Sequence, residues 1–249
     1  MSFLNKKTKQ SPDGMTLGQH LAEVRRRFMI SIGAVVAFGF VAWFQYGRII
    51  KFLQHPYCRV ASITHEQCKF LMSNPLDGLS LHIKIAFFGG LVLALPVLFF
   101  QAWRFITPGL RKQEKRYVVP FVIASILFFL GGATMAYFSF ERALEFLQQI
   151  GGSSLQAFYN PNQYFSLILL MMFVFGVTFE FPVVLVALQL AGVVTPKQLL
   201  SWWRYALIGI TAAAAIFTPS GDPVSMFALV IPLTIFYFFS IAIGKIARK

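Results

Sequence analysis

Apolar residues along this chain fall into long unbroken runs, not into the alternation of a half-buried strand or the stripe of a soluble helix. Six runs stand out: about Phe28–Gly47, Ile85–Phe105, Val118–Phe140, Tyr164–Leu190, Tyr205–Thr218 and Val224–Ile243. Most reach the roughly 20 residues that a tilted helix needs to cross a hydrocarbon core of ~30 Å. The fourth is longer. The fifth is short: Arg204 and Pro219 bracket about 14 residues, roughly 21 Å of helix at 1.5 Å per residue. A bilayer beside such a helix must thin locally. The pattern predicts an all-α integral membrane protein with six transmembrane helices, the fifth short. Pro96, Pro120, Pro182 and Pro232 lie inside or at the edges of the runs. They predict kinked helices and a concave shape instead of a straight bundle. No convincing internal repeat is present, which argues against an inverted-repeat transporter.

Composition sharpens the class. The chain has 249 residues, of which 57% are hydrophobic and 12% charged, and its mean hydropathy is +0.67. No soluble domain of this length would solvate such a surface. Residues 15–249 read as a single six-span membrane domain. Met1–Gly14 reads as a flexible basic cytoplasmic tail without the apolar run of a cleaved signal peptide, so the first span is expected to direct insertion. The net charge of +13 could suggest a nucleic acid, but the bases collect at alternate ends of the spans. The N-terminal segment, the second-to-third and fourth-to-fifth connections and the C-terminus share most of them. The other side holds only Arg48, Lys51, Arg59, Lys69, Lys84 and Arg142 of the 22. The positive-inside rule then predicts that both termini are cytoplasmic, and that no nucleic acid is bound. The outer connections are unequal: a long one from about Arg48 to His82, one from Glu141 to Gln163 that begins as a helix extension, and the tight turn Pro219–Pro223.

Few residues offer chemistry. Glu180 is a lone carboxylate within the fourth run, and such a group is costly unless it faces a bundle interior, a partner or a water path. It is either a functional group or a neutral, hydrogen-bonded acid that orders packing. Thr16 with Gln19 forms a capping box, so a helix is expected to start before the first span. On it Leu17, Leu21, Val24 and Phe28 share a face, which would lie on the membrane or pack on a neighbouring span. Glu23 stands four residues before Arg27, the spacing of a solvated helical ion pair. Glu114 is an acid among four nearby bases. In the first outer connection, His55-Pro-Tyr-Cys58 and His65-Glu-Gln-Cys68 repeat at ten residues. An oxidising compartment favours a Cys58–Cys68 disulfide. Free thiols are the alternative, and a zinc site fits the ligand types but not the short spacing. Phosphate-loop and zinc-protease motifs are absent, and no second acid accompanies Glu180. The expectation is a non-enzyme with no cofactor and no metal.

Four segments carry a family resemblance. His20-Leu-Ala-Glu-Val-Arg-Arg-Arg27 resembles the His-Leu-x-Glu-Leu-Arg-x-Arg signature of TatC, the polytopic core of the twin-arginine (Sec-independent) protein translocase. Phe105-Ile-Thr-Pro-Gly-Leu-Arg-Lys-Gln-Glu-Lys115 resembles its second signature, Phe175-Gly-Val-Thr-Phe-Glu-Phe-Pro182 its intramembrane one, and Thr218-Pro-Ser-Gly-Asp-Pro223 the turn before its last helix. The resemblance covers the chain from about Thr16 to its end. It implies a bacterial cytoplasmic (inner) membrane receptor that binds the paired arginines of signal peptides on folded precursors through Glu23 and Glu114. Arg25 lies within the first signature, and Phe105 would pack on the apolar part of the signal, unless it is an ordinary interfacial aromatic. Glu180 would contact a partner helix on the concave face. The resemblance also implies TatB-like and TatA-like single-span partners, a homo-oligomeric receptor complex in membrane lipid, and transport driven by the proton-motive force. Pro56 matches a family proline in the first outer connection and Asp222 the last outer turn, where the alternative is a turn stabiliser. Met226 departs from the family, which often has a polar residue there. The rival reading is a proton-coupled small-solute permease using Glu180.

Overall fold

The computed structural model describes residues 17–63, 68–106, 118–151 and 160–247. The capping residue Thr16, the N-terminal tail and the second signature from Thr107 to Tyr117, with Glu114, lie outside them. Among the described residues every regular element is a helix: α1 (Leu17–Phe44), α2 (Tyr46–Ile63), α3 (Asp77–Ile106), α4 (Val118–Gly151), α5 (Pro161–Thr178), α6 (Phe181–Leu190), α7 (Pro196–Ser201), α8 (Trp203–Phe217) and α9 (Pro223–Ala247). Five segments are long and apolar enough to cross a membrane, α5 and α6 together forming one of them, and α8 is the shorter apolar sixth. The expected six spans are therefore present.

Local chemistry sets the element ends. Asn160 caps α5 by accepting from the backbone N–H of Asn162 and Gln163, with Pro161 in the first turn. Thr195 and Gln198 form a capping box at the start of α7, each satisfying an otherwise orphaned backbone donor. The fourth span breaks at Phe179–Glu180. Pro182 has no N–H to give the carbonyl four residues back, and the Glu180 N–H bonds Val177 O instead. Pro96 and Pro232 lie within α3 and α9 without ending them.

The first half of the first outer connection is a helix, α2. That helix escapes a search for apolar runs because only one face is apolar: Leu53, Tyr57 and Val60 are buried, while Lys51, Phe52, His55 and Arg59 are exposed. Pro56, the family-matching proline of this connection, is buried inside α2. The helical bond to Phe52 O that Pro56 cannot make is replaced by the Tyr137 hydroxyl of α4, which donates to that carbonyl at 2.9 Å. The Tyr164 hydroxyl of α5 donates to Leu53 O at 3.0 Å.

Packing in lipid depends on close fit more than on excluding water. The α1–α3 seam is built on glycine: a Cβ on Gly90 would lie 2.6 Å from the backbone of Gly39. A Cβ on Gly132 of α4 would meet Phe175 O of α5 at 2.5 Å. Phe28, Phe40 and Phe44 of α1 are exposed, as lipid-facing residues are. At the end of the bundle opposite the start of α1, an aromatic cluster of Tyr57, Phe70, Phe140, Tyr164 and Phe165 joins α2, α4 and α5. The Cys58–Cys68 disulfide, with Cα atoms 4.9 Å apart, ties the segment carrying Phe70 to α2. Beside it, Lys84 Nζ donates to Asn162 Oδ1 at 2.6 Å and Ser166 Oγ at 2.8 Å. Asp77 accepts from the backbone of Asn74 and from Asn160 Nδ2, both at 3.0 Å. These bonds fasten the start of α3 to the start of α5.

Candidate functional site

The start of α1 and the finish of α3 meet at the basic end of the bundle. Positions 23, 26, 27 and 30 of a helix share one side. Here Glu23, Arg26, Arg27 and Ile30 line a cavity of about 420 Å³ with Gln101 and Arg104 of α3. Glu23 is not a solvated surface acid. Arg27 Nε donates to Glu23 Oε1 at 3.0 Å, and its Nη2 donates to the same oxygen. Arg27 Nη1 reaches Gln101 Oε1 at 3.4 Å. The pair is mostly buried, with side-chain exposures of 15% and 24%, so it is more than the surface pair that the spacing suggests. The site can hold a guanidinium against a carboxylate, in a geometry that an ammonium does not reproduce. Arg25 is exposed, on the side of α1 away from Glu23. Phe105 is half-buried and follows Arg104 at the end of α3. The face of α1 bearing Leu21, Val24 and Phe28 is exposed. Glu114 lies outside those residues. Gln101 gave no sequence signal, because nothing in a linear pattern pairs it with a residue 74 positions earlier.

The second locus is the break between α5 and α6. Glu180 is half-buried. Its Oε1 is buried without a hydrogen-bond partner, and Ser125 of α4 lies near its carboxyl group. Ser125 is itself fully buried and accepts from Trp103 Nε1 of α3 at 3.0 Å. The Trp103 ring packs against Phe121 of α4 in a tilted arrangement, with centroids 4.6 Å apart. A serine inside an apolar run was the only sequence hint of this arrangement.

Asp222 caps α9. Its Oδ1 accepts from the Ser225 N–H at 2.7 Å, and Ser220 Oγ donates to Oδ2. It is 2% exposed, which matches the turn-stabilising alternative. Met226 packs against the core. No cluster of potential metal ligands occurs among the described residues.

Comparison with known proteins decides the family. A profile described as "Sec-independent protein translocase protein (TatC)" matches residues 19–232. The chain belongs to the TatC family. A TatC protein from Magnetococcus marinus is 38% identical over 94% of this chain and 85% of its own length. One from Aquifex aeolicus is 35% identical over 94% and 97%. A crystal structure described as the twin arginine translocase receptor TatC superposes with a TM-score of 0.75 at 36% identity, covering 92% of this chain and all of the other. Membership makes this TatC-family chain a multi-span component of the twin-arginine protein translocase, not an enzyme and not a small-solute permease. A translocase component of this kind works with partner subunits in a membrane.

Proposed function

We propose that this chain is the membrane receptor and assembly core of a twin-arginine export system in the bacterial inner membrane, with both termini cytoplasmic. Residues 15–249 act as one membrane unit behind a basic tail, Met1–Gly14. Folded precursors present a signal peptide whose two arginines pair with Glu23 and Glu114, while Arg25 and Phe105 contact the rest of the signal. TatB-like and TatA-like single-span subunits assemble near Glu180, several copies of the chain share one receptor complex, and the proton-motive force drives transport.

The observation that carries this reading is the cavity at the basic end of α1 and α3, where the Glu23 carboxylate already holds a guanidinium. A planar fork of donors suits that acid, and a lysine presents only a point charge. The neighbouring Arg26 and Arg104 repel a generic cationic peptide, so selectivity has to come from fit.

Binding of a synthetic signal peptide to the protein in nanodiscs tests it. The Arg-Arg form should bind about tenfold or more tightly than the Lys-Lys form, the factor for a charge-assisted hydrogen bond. Glu23→Ala and Glu114→Ala should each weaken the Arg-Arg form. Equal binding of the two peptides, or unchanged binding in the double variant, overturns the paired-carboxylate site.

A further inference from the structure

At the end of the bundle opposite the start of α1, the corner between α1 and α2 opens onto a groove of about 460 Å³ walled by α1, α2, α3, α4 and α5. Among the described residues its polar lining side chains are Gln45 and Arg48, and both stand at that corner. From there the groove runs inward between apolar walls to Phe88 of α3, Phe129 of α4 and Phe173 of α5. These rings meet edge to face. At the rim, Phe52 of α2 stacks on Tyr137 of α4. Phe129 lies roughly 12 Å inward of Tyr137 along α4, at 1.5 Å per residue. Arg48 and Lys51, one turn apart on α2, are exposed, and among the described residues neither pairs with a carboxylate. Cations at the mouth of an apolar slot match a headgroup phosphate followed by a hydrocarbon chain, and a guanidinium fork suits phosphate oxygens. A transmembrane helix is a poor occupant. With side chains it is about 10–12 Å across, so one turn would use roughly this whole volume, while the groove extends over about two turns.

We propose that this groove is a binding site for an anionic phospholipid: one acyl chain fills it, and the headgroup phosphate sits on Arg48 and Lys51. Lipid tails are as apolar as the groove walls, so entering it brings the chain no hydrophobic gain over the surrounding bilayer. Selectivity therefore rests on the headgroup, at about fivefold for each cation near the membrane surface. A lipid held there joins α2 to the spans beneath it. Nothing in this assignment depends on the receptor reading.

The test is photo-labelling of the full-length protein in phosphatidylcholine nanodiscs. They carry a trace of phosphatidylglycerol or phosphatidylcholine with a diazirine on one acyl chain, and adducts are mapped by mass spectrometry. The phosphatidylglycerol probe should label Phe88, Val92 and Phe173 in preference to Phe44 and Phe138, which are exposed outside the groove. It should exceed the phosphatidylcholine probe there by about fivefold or more. Arg48→Gln and Lys51→Gln should each lower groove labelling about fivefold, and Arg48→Lys, which keeps the charge, should retain most of it. Val92→Trp fills the groove from a partly exposed position. It should abolish labelling of Phe88 and Phe173 and leave that of Phe44 unchanged. Equal labelling by the two probes, or labelling indifferent to both charge substitutions, shows bulk lipid only and overturns the proposal. In cell membranes, a photoreactive amino acid in place of Val92 should give a lipid adduct. A protein adduct instead makes the groove a seat for a partner helix and also overturns it.

Discussion

At Glu23 the structure replaces a solvated helical pair with a carboxylate held by Arg27, which is itself held by Gln101. Breaking a part-buried pair costs more than the few tenths of a kcal/mol of an exposed one. Arg27→Gln should therefore destabilise the α1–α3 contact, and the thermal midpoint in detergent should fall. Arg27→Lys should restore only part of it, because an ammonium cannot make both guanidinium contacts. The Gly39–Gly90 approach is a second residue-scale constraint. The 2.6 Å that a Cβ on Gly90 would leave is not met by side-chain adjustment, since the facing atoms are backbone. Gly90→Ala should cost about 1–3 kcal/mol, the range for overpacking, and read out as a lowered midpoint with the helical content retained. Gly33→Ala, where nothing lies within 4 Å, is the matched control and should not lower it.

Among the helices, α2 links sequence and fold most tightly. Pro56 removes one helical bond, and Tyr137 from α4 takes the carbonyl it leaves. Tyr137→Phe should lower stability by about 1 kcal/mol, the net worth of a hydrogen bond. In a Pro56→Ala background, where the helix can satisfy Phe52 O itself, the same substitution should cost less. Thermal unfolding of the four proteins measures that coupling. Much of the helical frame was legible beforehand. The six apolar runs are spans because lipid demands uninterrupted hydrophobicity, and Pro182 marked the break in the fourth. The amphipathic α2 was not found, although Ile49, Leu53, Tyr57 and Val60 recur at helical spacing; a search for runs passes over a helix with one polar face. The site was legible in part. Glu23 and Glu180 stand out as acids in basic or apolar surroundings. Gln101, Ser125 and Trp103 do not, because what matters about them is a neighbour on another helix.

Across the whole molecule the two ends differ in how they are held. The end opposite the start of α1 is fastened by the Cys58–Cys68 disulfide, the aromatic cluster and the bonds of Lys84 and Asp77. Reduction should loosen it. For a sequence separation of 10 the chain-entropy model gives about 2–3 kcal/mol, so the thermal midpoint should drop on adding reductant and should not in Cys58→Ser/Cys68→Ser. The short α8, 15 residues long, carries a second expectation at this scale. It spans roughly 22 Å at 1.5 Å per residue, so transport in liposomes should decline as acyl chains lengthen, and faster than for a protein of full-length spans. The glycine seam bears on how the chain is made. Almost none of α1 is buried, and its main contact is with α3. During synthesis the first helix must therefore leave the insertion machinery and wait in lipid, unpartnered, until α3 is made. A ribosome stalled before that point would display a lone greasy anchor, open to membrane quality-control proteases, so the window of risk in biogenesis is set by the distance along the chain from Gly39 to Gly90.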